Sequence, residues 1–249
     1  MGKVFFIGIG PGDPELLTLR ALKLIREAHL IVYPGSLISE AMLNFIQKEN
    51  PTAEYYNAFG KSLSEILIKM EEYLVNKQIV ARLVSGDPSI YSSIMEHIER
   101  LREKNYAYEI IPGISSALLA SAKLGIEFTY PELSHSVIFT RLEGKTGGPK
   151  NEEIKYFAKS KSTLVFFLSA GLKDKLTTLL KEIYPDNTKI AILYKLSHPE
   201  EKIILTTIKD LAETMDKYEI KKTALIVVGD VLNLIDKNFN KRSILYGER

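Results

Sequence analysis

The sequence predicts an α/β protein of two domains, the first built on a mostly parallel sheet and the second on a mixed one. Three observations carry that expectation. Short apolar runs bounded by turn residues alternate with amphipathic stretches, the pattern of strands that cross over through helices. The alternation lapses once, from Gly125 to Ser136, in the proline-containing stretch "GIEFTYPELSHS", which has no helical period. Beyond the lapse, "KIAILYK" and "KIILTTIK" follow one another with no helix between them, which requires an antiparallel hairpin. The domains are therefore expected at 1–124 and 136–249, with 125–135 as the link.

In the first half, "VFFIGIG" reads as a strand. "PELLTLRALKLIREA" reads as a helix with Pro14 in its first turn and Leu16, Leu19, Leu22 and Ile25 along one face. "HLIVY" is a second strand, and the stretch from Ser36 to about Lys48 a helix. In "SLSEILIKMEEYLVN", the pair Ser62 and Glu65 has the spacing of a capping box that opens a helix. The strand "QIVARLVSGD", the helix "SIYSSIMEHIERLREKN", the strand "YEIIPG" and the helix "ISSALLASAKLG" complete the domain. The second half gives the strand "SVIFTR", a polar glycine-rich loop "LEGKTGGPKN", a helix near 151–159 and the strand "STLVFFLS". A helix from about Leu172 to Ile183, the two hairpin strands, a helix to about Tyr218 and the strand "TALIVVGDV" follow.

Composition narrows the function. A chain of 249 residues, 45% hydrophobic and 26% charged, is that of an ordinary globular protein. Its net charge of +2 makes no basic field for nucleic acid or anionic membranes, so neither is expected as a partner. No stretch approaches the roughly 20 apolar residues of a membrane span, and "MGKVFFIG" runs straight into a strand, so the expected location is cytoplasmic. The absence of cysteine excludes disulfides, thiolate metal sites and a cysteine nucleophile. His29, His97, His135 and His198 are scattered and form no H-E-x-x-H pattern. They read mostly as surface or strand-end residues, and no protein-bound metal is expected.

The turn "GIGPGDP" ends the first strand but is no dinucleotide fingerprint. Its glycines are Gly8, Gly10 and Gly12, and Asp13 stands where the third glycine of G-x-G-x-x-G belongs. Pro11 removes a backbone donor and Asp13 would repel a pyrophosphate. The second strand ends in Tyr33, Pro34 and Gly35, without the ribose-binding acid. Two more turns, "SGDPSIY" at 85–91 and "IIPGISS" at 110–116, also close strands of the same half. In open α/β sheets ligands bind at the carboxyl ends of strands, so the three loops should line one crevice. Their Asp and Ser groups suit a ligand with amine, hydroxyl and adenine groups better than a polyphosphate.

These motifs together, "GIGPGDPELLTLRALKLI", "LVSGDPSIYSSI", "IIPGISS", "FFLS" and "TALIVVGD", resemble the tetrapyrrole (corrin/porphyrin) methyltransferase family over nearly the full length. Within it, "YPGSLIS", "TRLEGKTGGP" and "YKLSHPEEKIILTTIKDL" resemble the members that methylate C11 of precorrin-4 or cobalt-precorrin-4. The resemblance implies two α/β/α domains, a homodimer, and S-adenosylmethionine folded into the cleft between the domains. Carried over position by position, it implies donor contacts from Pro11, from Ser85, Gly86, Asp87 and Ile90, and from Ser115 and Ser116. It adds Leu168 of "FFLS", Leu196 after "YK", and Ala224 of the last strand, much of the contact being through backbone groups. Relatives that act on uroporphyrinogen carry an acid just after the second-strand tyrosine, where this chain has Pro34 and Gly35, so no general base is nominated. Ser115 stands where many relatives have threonine and keeps the hydroxyl. The tail "SILYGER" resembles the start of the longer ending of related enzymes.

Methyl transfer to a ring carbon from an already activated sulfonium asks mainly for alignment, which can account for ~7–11 kcal/mol of barrier. Ile90, Leu168 and Ala224 are expected to exclude water. The acceptor is a flat ring with several carboxylates. Arg82, Arg141 and Lys145 are candidate anion partners, the last two favoured because their glycine-rich loop has no evident packing role. Each cation by itself also fits a solvated surface charge. Tyr33 and Tyr91 are candidates for the face of the macrocycle and, equally, strand-end tyrosines of the core. Any cobalt would arrive in the substrate. The alternatives are methylation at C20 or C17 of another precorrin, a protein substrate as in diphthine synthase, and a non-catalytic adenosylmethionine-binding module.

Overall fold

Strand β1 (Lys3–Gly8) is buried from Val4 to Gly8, which requires neighbours on both edges and cover on both faces. The computed structural model, which describes residues 2–144 and 147–236, supplies both. β1 lies between β4 (Ile79–Val84) and β5 (Ala107–Ile111), with β2 (Leu30–Tyr33) and β3 (Glu54–Asn57) beyond β4. The order is β3-β2-β4-β1-β5 and every pairing is parallel. Alternate side chains leave β1 on opposite faces. Phe5 and Ile7 pack with α1 (Leu19–Glu27) and α2 (Glu40–Glu49), while Val4 and Phe6 pack with α3 (Leu63–Leu74) and α4 (Ile94–Glu103). The chain leaves β1 across one face and β4 across the other, so their adjacent carboxyl ends form a topological switch point, where open sheets bind ligands.

Several helices start later than their apolar runs imply, because an internal residue caps them. Pro14–Leu16 makes only a short 3-10 turn, closed by the Asp13 carboxylate accepting the Glu15 N–H at 2.9 Å. Thr18 then caps α1, its Oγ1 accepting the Ala21 N–H at 3.1 Å. This restart rotates the buried face to Ala21, Leu24 and Ile25, and Leu19 of the expected leucine face is 87% exposed. Ser39 likewise caps α2, accepting the Met42 N–H at 3.0 Å, so that helix begins at Glu40 rather than Ser36. The helix expected from Ser89 starts at Ile94, since Tyr91 (φ 50°) and Ser93 (φ 55°) are left-handed. The capping box of α3 is formed as expected, with Glu65 N–H on Ser62 Oγ and Ser62 N–H on Glu65 Oε2. β3, at the sheet edge and mostly polar, has no counterpart in the sequence reading.

The second sheet contains β6 (Val137–Thr140), β7 (Thr163–Phe166), β8 (Lys189–Tyr194), β9 (Lys202–Thr207) and β10 (Ala224–Val228) in the order β6-β7-β10-β8-β9. β6 and β7 are parallel, β10 runs antiparallel to both β7 and β8, and β8 and β9 form the expected hairpin. The sheet is therefore mixed. Leu164, Phe166, Ile190, Ile192 and Ile226 pack against α6 (Asn151–Lys159), α7 (Lys173–Lys181) and α8 (Leu211–Lys217) on one face.

The chain divides into two units between Ser116 and Ala117, at the start of α5 (Ser116–Leu124). The segment 125–135 has neither helix nor strand, yet it is held to the second sheet. Thr163 Oγ1 donates to the Phe128 carbonyl at 2.7 Å, and the Thr163 N–H donates to Ser134 Oγ at 3.0 Å. Among the described residues no helix is long and apolar enough to cross a membrane. Lys145 and the tail "SILYGER" lie outside the described residues.

Candidate functional site

In the first unit the three glycine-bearing turns meet at the carboxyl edge of the sheet, over β4, β1 and β5. Gly10 and Gly86 exchange backbone hydrogen bonds, with the Gly86 N–H on the Gly10 carbonyl at 2.8 Å and the reverse bond at 3.2 Å. The first turn is anchored from the other side by Ser39 Oγ, which donates to the Gly12 carbonyl at 2.5 Å. Asp87 closes the group. Its Oδ1 accepts the N–H and hydroxyl of Ser89, and its Oδ2 accepts the Gly113 N–H at 2.9 Å. Burial alone would raise the pKa of this carboxyl, but the Ser89 and Gly113 bonds outweigh it and hold the group below its usual value.

The glycines serve close approach. A Cβ on Gly113 would stand 2.4 Å from the Gly86 carbonyl oxygen, and one on Gly8 would stand 2.6 Å from the Gly113 nitrogen. Backbone therefore meets backbone here without side chains between. Pro11 and Ser115 are buried and Gly86 is left-handed (φ 69°), while the Ile90 N–H donates to the Asp87 carbonyl at 3.2 Å. Pro11, Ser85, Gly86, Asp87, Ile90 and Ser115 are thus carried by loops of one sheet edge, and Ser116 by the start of α5. No lysine or arginine occurs in 8–13, 85–91 or 112–116, so these three turns carry no cationic side chain of their own.

The second unit gathers its own expected residues at one edge of its sheet. Ile226 pairs with Phe166 and Ala224 with Tyr194, so the start of β10 lies beside the ends of β7 and β8. Leu168 follows β7, Ala224 opens β10, and Leu196 follows β8. Left-handed backbone recurs along this edge at four residues that are not glycine: Leu168 (φ 50°), Lys195 (φ 46°), Ser197 (φ 66°) and Thr223 (φ 56°). Such conformations cost ~1–3 kcal/mol each and concentrate at ligand-handling sites. The Lys195 N–H donates to the Thr223 carbonyl at 2.9 Å, joining two of them. Leu196 and Ala224 are buried, whereas the Leu168 side chain is 66% exposed.

The loop after β6 is tied to the same edge. The Phe167 N–H donates to the Thr140 carbonyl at 2.8 Å, and the Leu142 N–H donates to Ser169 Oγ at 2.9 Å. Arg141 Nε donates to the Gly147 carbonyl at 3.1 Å, across a turn in which Gly144 and Gly147 bridge each other. Arg141 therefore shapes its own loop. Tyr91 is 44% exposed, whereas Tyr33 packs against the core under α1 and α2.

Arg82 differs from its expected role as an anion partner. Burial pushes its pKa down to about 10, its Nη1 donates to the Leu83 carbonyl at 2.9 Å, and its Nε is buried without a partner. Next to it, His97 sits edge-on to Phe6, with ring centroids 6.1 Å apart. Burial, and then the Arg82 charge, push the imidazole down to about 4. His97 is therefore a neutral packing residue rather than a surface one. The sequence reading also missed Gly8, Gly113 and Ser39 as architects of the loops. The glycine-proline turns were the available signal for the first two, while nothing local marks Ser39.

Small-residue turns fused backbone to backbone over the switch point of a doubly wound sheet define an open-sheet α/β protein, a class that binds ligands at this edge. A sequence model of the tetrapyrrole (corrin/porphyrin) methylases matches residues 3–212, and the chain belongs to that family. It is 44% identical over 246 residues to the cobalt-precorrin-4 C(11)-methyltransferase of Methanocaldococcus jannaschii, covering 95% of this chain and 94% of that protein. Among solved structures, a cobalt precorrin-4 methyltransferase of cobalamin biosynthesis superposes with a TM-score of 0.87 at 37% identity, over 92% of this chain and 95% of that one. The uroporphyrin-III C-methyl transferase of Thermus thermophilus, solved with S-adenyl homocysteine, superposes with a TM-score of 0.76 at 26% identity, over 94% of each chain.

Proposed function

We propose that the chain is an S-adenosylmethionine-dependent C-methyltransferase that methylates C11 of cobalt-precorrin-4 or precorrin-4 in cobalamin biosynthesis, working in the cytoplasm as a homodimer. The observation that carries the donor half of this reading is the convergence of the three turns on Gly86, Asp87 and Gly113, without a cation among them. An uncharged, backbone-rich edge with one carboxylate fits a sulfonium donor bearing an amine and an adenosine. The likeness to the Methanocaldococcus jannaschii enzyme supports C11 as the acceptor position.

In this reading Pro11, Ser85, Gly86, Asp87, Ile90, Ser115 and Ser116 hold the donor together with Leu168, Leu196 and Ala224. When bound, the donor supplies an activated methyl group for transfer to a ring carbon. The chain's own contribution is rigidity and dryness. The Gly10–Gly86 and Asp87–Gly113 bonds fix the loops before the ligand arrives, so little ordering remains to be done on binding. Ile90, Leu168 and Ala224 exclude water from a positive charge that is neutralised as the methyl leaves. In this reading Arg141 and Lys145 of the glycine-rich loop pair with the ring carboxylates, and the exposed Tyr91 contacts the plane of the ring, while Tyr33 takes its alternative place as a strand-end tyrosine of the core. An electron-rich tetrapyrrole carbon asks for no protein nucleophile.

Titration calorimetry with S-adenosylmethionine and S-adenosylhomocysteine tests the donor half, and silence from folded protein with both ligands removes it. Incubation with donor and cobalt-precorrin-4, followed by NMR location of the new methyl, tests the acceptor half. A methyl at C17 or C20 would overturn the C11 assignment.

A further inference from the structure

The turn that follows β8 is strained on both sides of a proposed donor residue, and one side chain holds it there. Leu196 is buried between Lys195 and Ser197, both left-handed and neither a glycine. Such a pair persists only when its surroundings over-determine it. The Lys195 end is fixed by the Thr223 carbonyl. The Ser197 end is fixed by Glu201, whose Oε2 accepts the Ser197 N–H at 2.8 Å. The other oxygen of the same carboxylate accepts from Lys123 Nζ on α5 at 2.8 Å. The backbone closes the loop around it, with the Glu201 N–H on the His198 carbonyl and the His198 N–H on the Lys195 carbonyl, each at 3.0 Å.

We propose that Glu201 is a positioning residue of the donor site. It holds the Leu196 backbone in its presenting conformation through Ser197, and couples that turn through Lys123 to α5, the helix that opens at Ser116. This deepens the donor reading above and rests on it. Glu201 touches no ligand itself. The division of labour between its two oxygens separates it from an ordinary surface acid: one pins a strained amide and the other an ammonium of a different element. Its neighbour Glu200 provides the contrast, pairing with the Lys195 ammonium while its side chain is 57% exposed.

The test is calorimetric titration of S-adenosylhomocysteine into the full chain and into Glu201→Ala, Glu201→Gln, Lys123→Ala and Glu200→Gln, with circular dichroism to verify folding. Losing a hydrogen bond to a charged acceptor at a strained amide should raise Kd about tenfold in Glu201→Ala. Glu201→Gln, which still offers an acceptor to Ser197, and Lys123→Ala, which cuts only the tie to α5, should each raise it about threefold. Glu200→Gln should bind as the unaltered protein does. In turnover, Glu201→Ala should raise KM for the donor and leave kcat near its original value, whereas a purely structural role would lower thermal stability and leave donor affinity unchanged. Folded Glu201→Ala that binds within twofold of the unaltered protein overturns the inference alone. If Glu201→Ala does not fold, Lys123→Ala decides by the same criterion. No heat from the unaltered protein overturns the donor reading and this inference with it.

Discussion

Asp87 and Gly113 stand 26 positions apart in the chain, and the Asp87 Oδ2 accepts the Gly113 N–H at 2.9 Å. That bond joins the turn after β4 to the turn after β5 across β1, the strand between them. The carboxylate expected to contact the donor is thus at least as much a clasp between loops. Both oxygens already have protein partners, since Ser89 occupies Oδ1.

Asp87→Ala should therefore weaken donor binding by disordering two loops at once. Stranding the Gly113 amide costs ~1–3 kcal/mol, so Kd for S-adenosylhomocysteine should rise about 10- to 100-fold, with a lower thermal midpoint. Asp87→Asn, which keeps one acceptor, should fall between. Calorimetry and thermal unfolding on the same samples check both effects, and an unchanged Kd would refute the clasp.

Gly113→Ala is a second, steric test of the same junction. The added Cβ would lie 2.4 Å from the Gly86 carbonyl oxygen and 2.7 Å from the Gly8 carbonyl carbon, neither of which is the end of a flexible side chain. Overpacking of rigid backbone should cost about 3 kcal/mol or more, read as a lowered urea midpoint at unchanged slope. Gly60→Ala is the control. It has a left-handed φ of 75° but open space around the Cβ, so it should cost only ~1–2 kcal/mol.

His97 makes stability depend on pH. Its imidazole titrates near 4 when folded, because burial and then the Arg82 charge oppose protonation, against 6.5 as the ordinary value. Between pH 6.5 and 4 the unfolded chain binds a proton that the folded one refuses. This contribution is fully present above pH 6.5 and is lost as the solution is acidified through that window. With allowance for the ring's partial exposure, the loss should be about 2 kcal/mol. His97→Leu should flatten the stability profile by that amount between pH 4 and 6.5 and leave its alkaline side alone. Parallel profiles for the two proteins would show that His97 is not the group responsible.

Much of this architecture was legible because strand and helix periods differ, and the chain keeps them distinct. The β8–β9 hairpin was visible from two adjoining strand-like runs with no helix between them, and the antiparallel pairing from Lys189 with Thr207 to Tyr194 with Lys202 is what it became. Helix starts were harder, since Thr18 and Ser39 are ordinary polar residues until tertiary packing makes caps of them. β3 was invisible because "EYYN", at an edge, needs no apolar alternation. At the candidate site, glycine and proline announced the turns after β1, β4 and β5. The left-handed backbone at Leu168, Lys195, Ser197 and Thr223 left no local mark, because residues of those types normally avoid it. Hydrogen bonds hold that conformation, to the Thr223 carbonyl for Lys195 and to the Glu201 carboxylate for Ser197, and a single sequence does not display them.

Arg141 gives the last test, and the geometry changes what it measures. Its Nε donates to the Gly147 carbonyl, so the side chain braces the glycine-rich turn as well as lending it charge. Arg141→Ala should remove both, raising KM for the ring about tenfold or more while donor affinity stays within twofold, since the residues proposed for the donor at this edge are held by other bonds. Arg141→Lys restores the charge but not the planar fork that reaches Gly147, so it should recover only part of the loss. The two variants separate the roles: full recovery by lysine would mean charge alone matters, and none would mean the brace does. If Arg141→Ala abolished donor binding and spared the ring, the loop would belong to the donor and the acceptor assignment would fall.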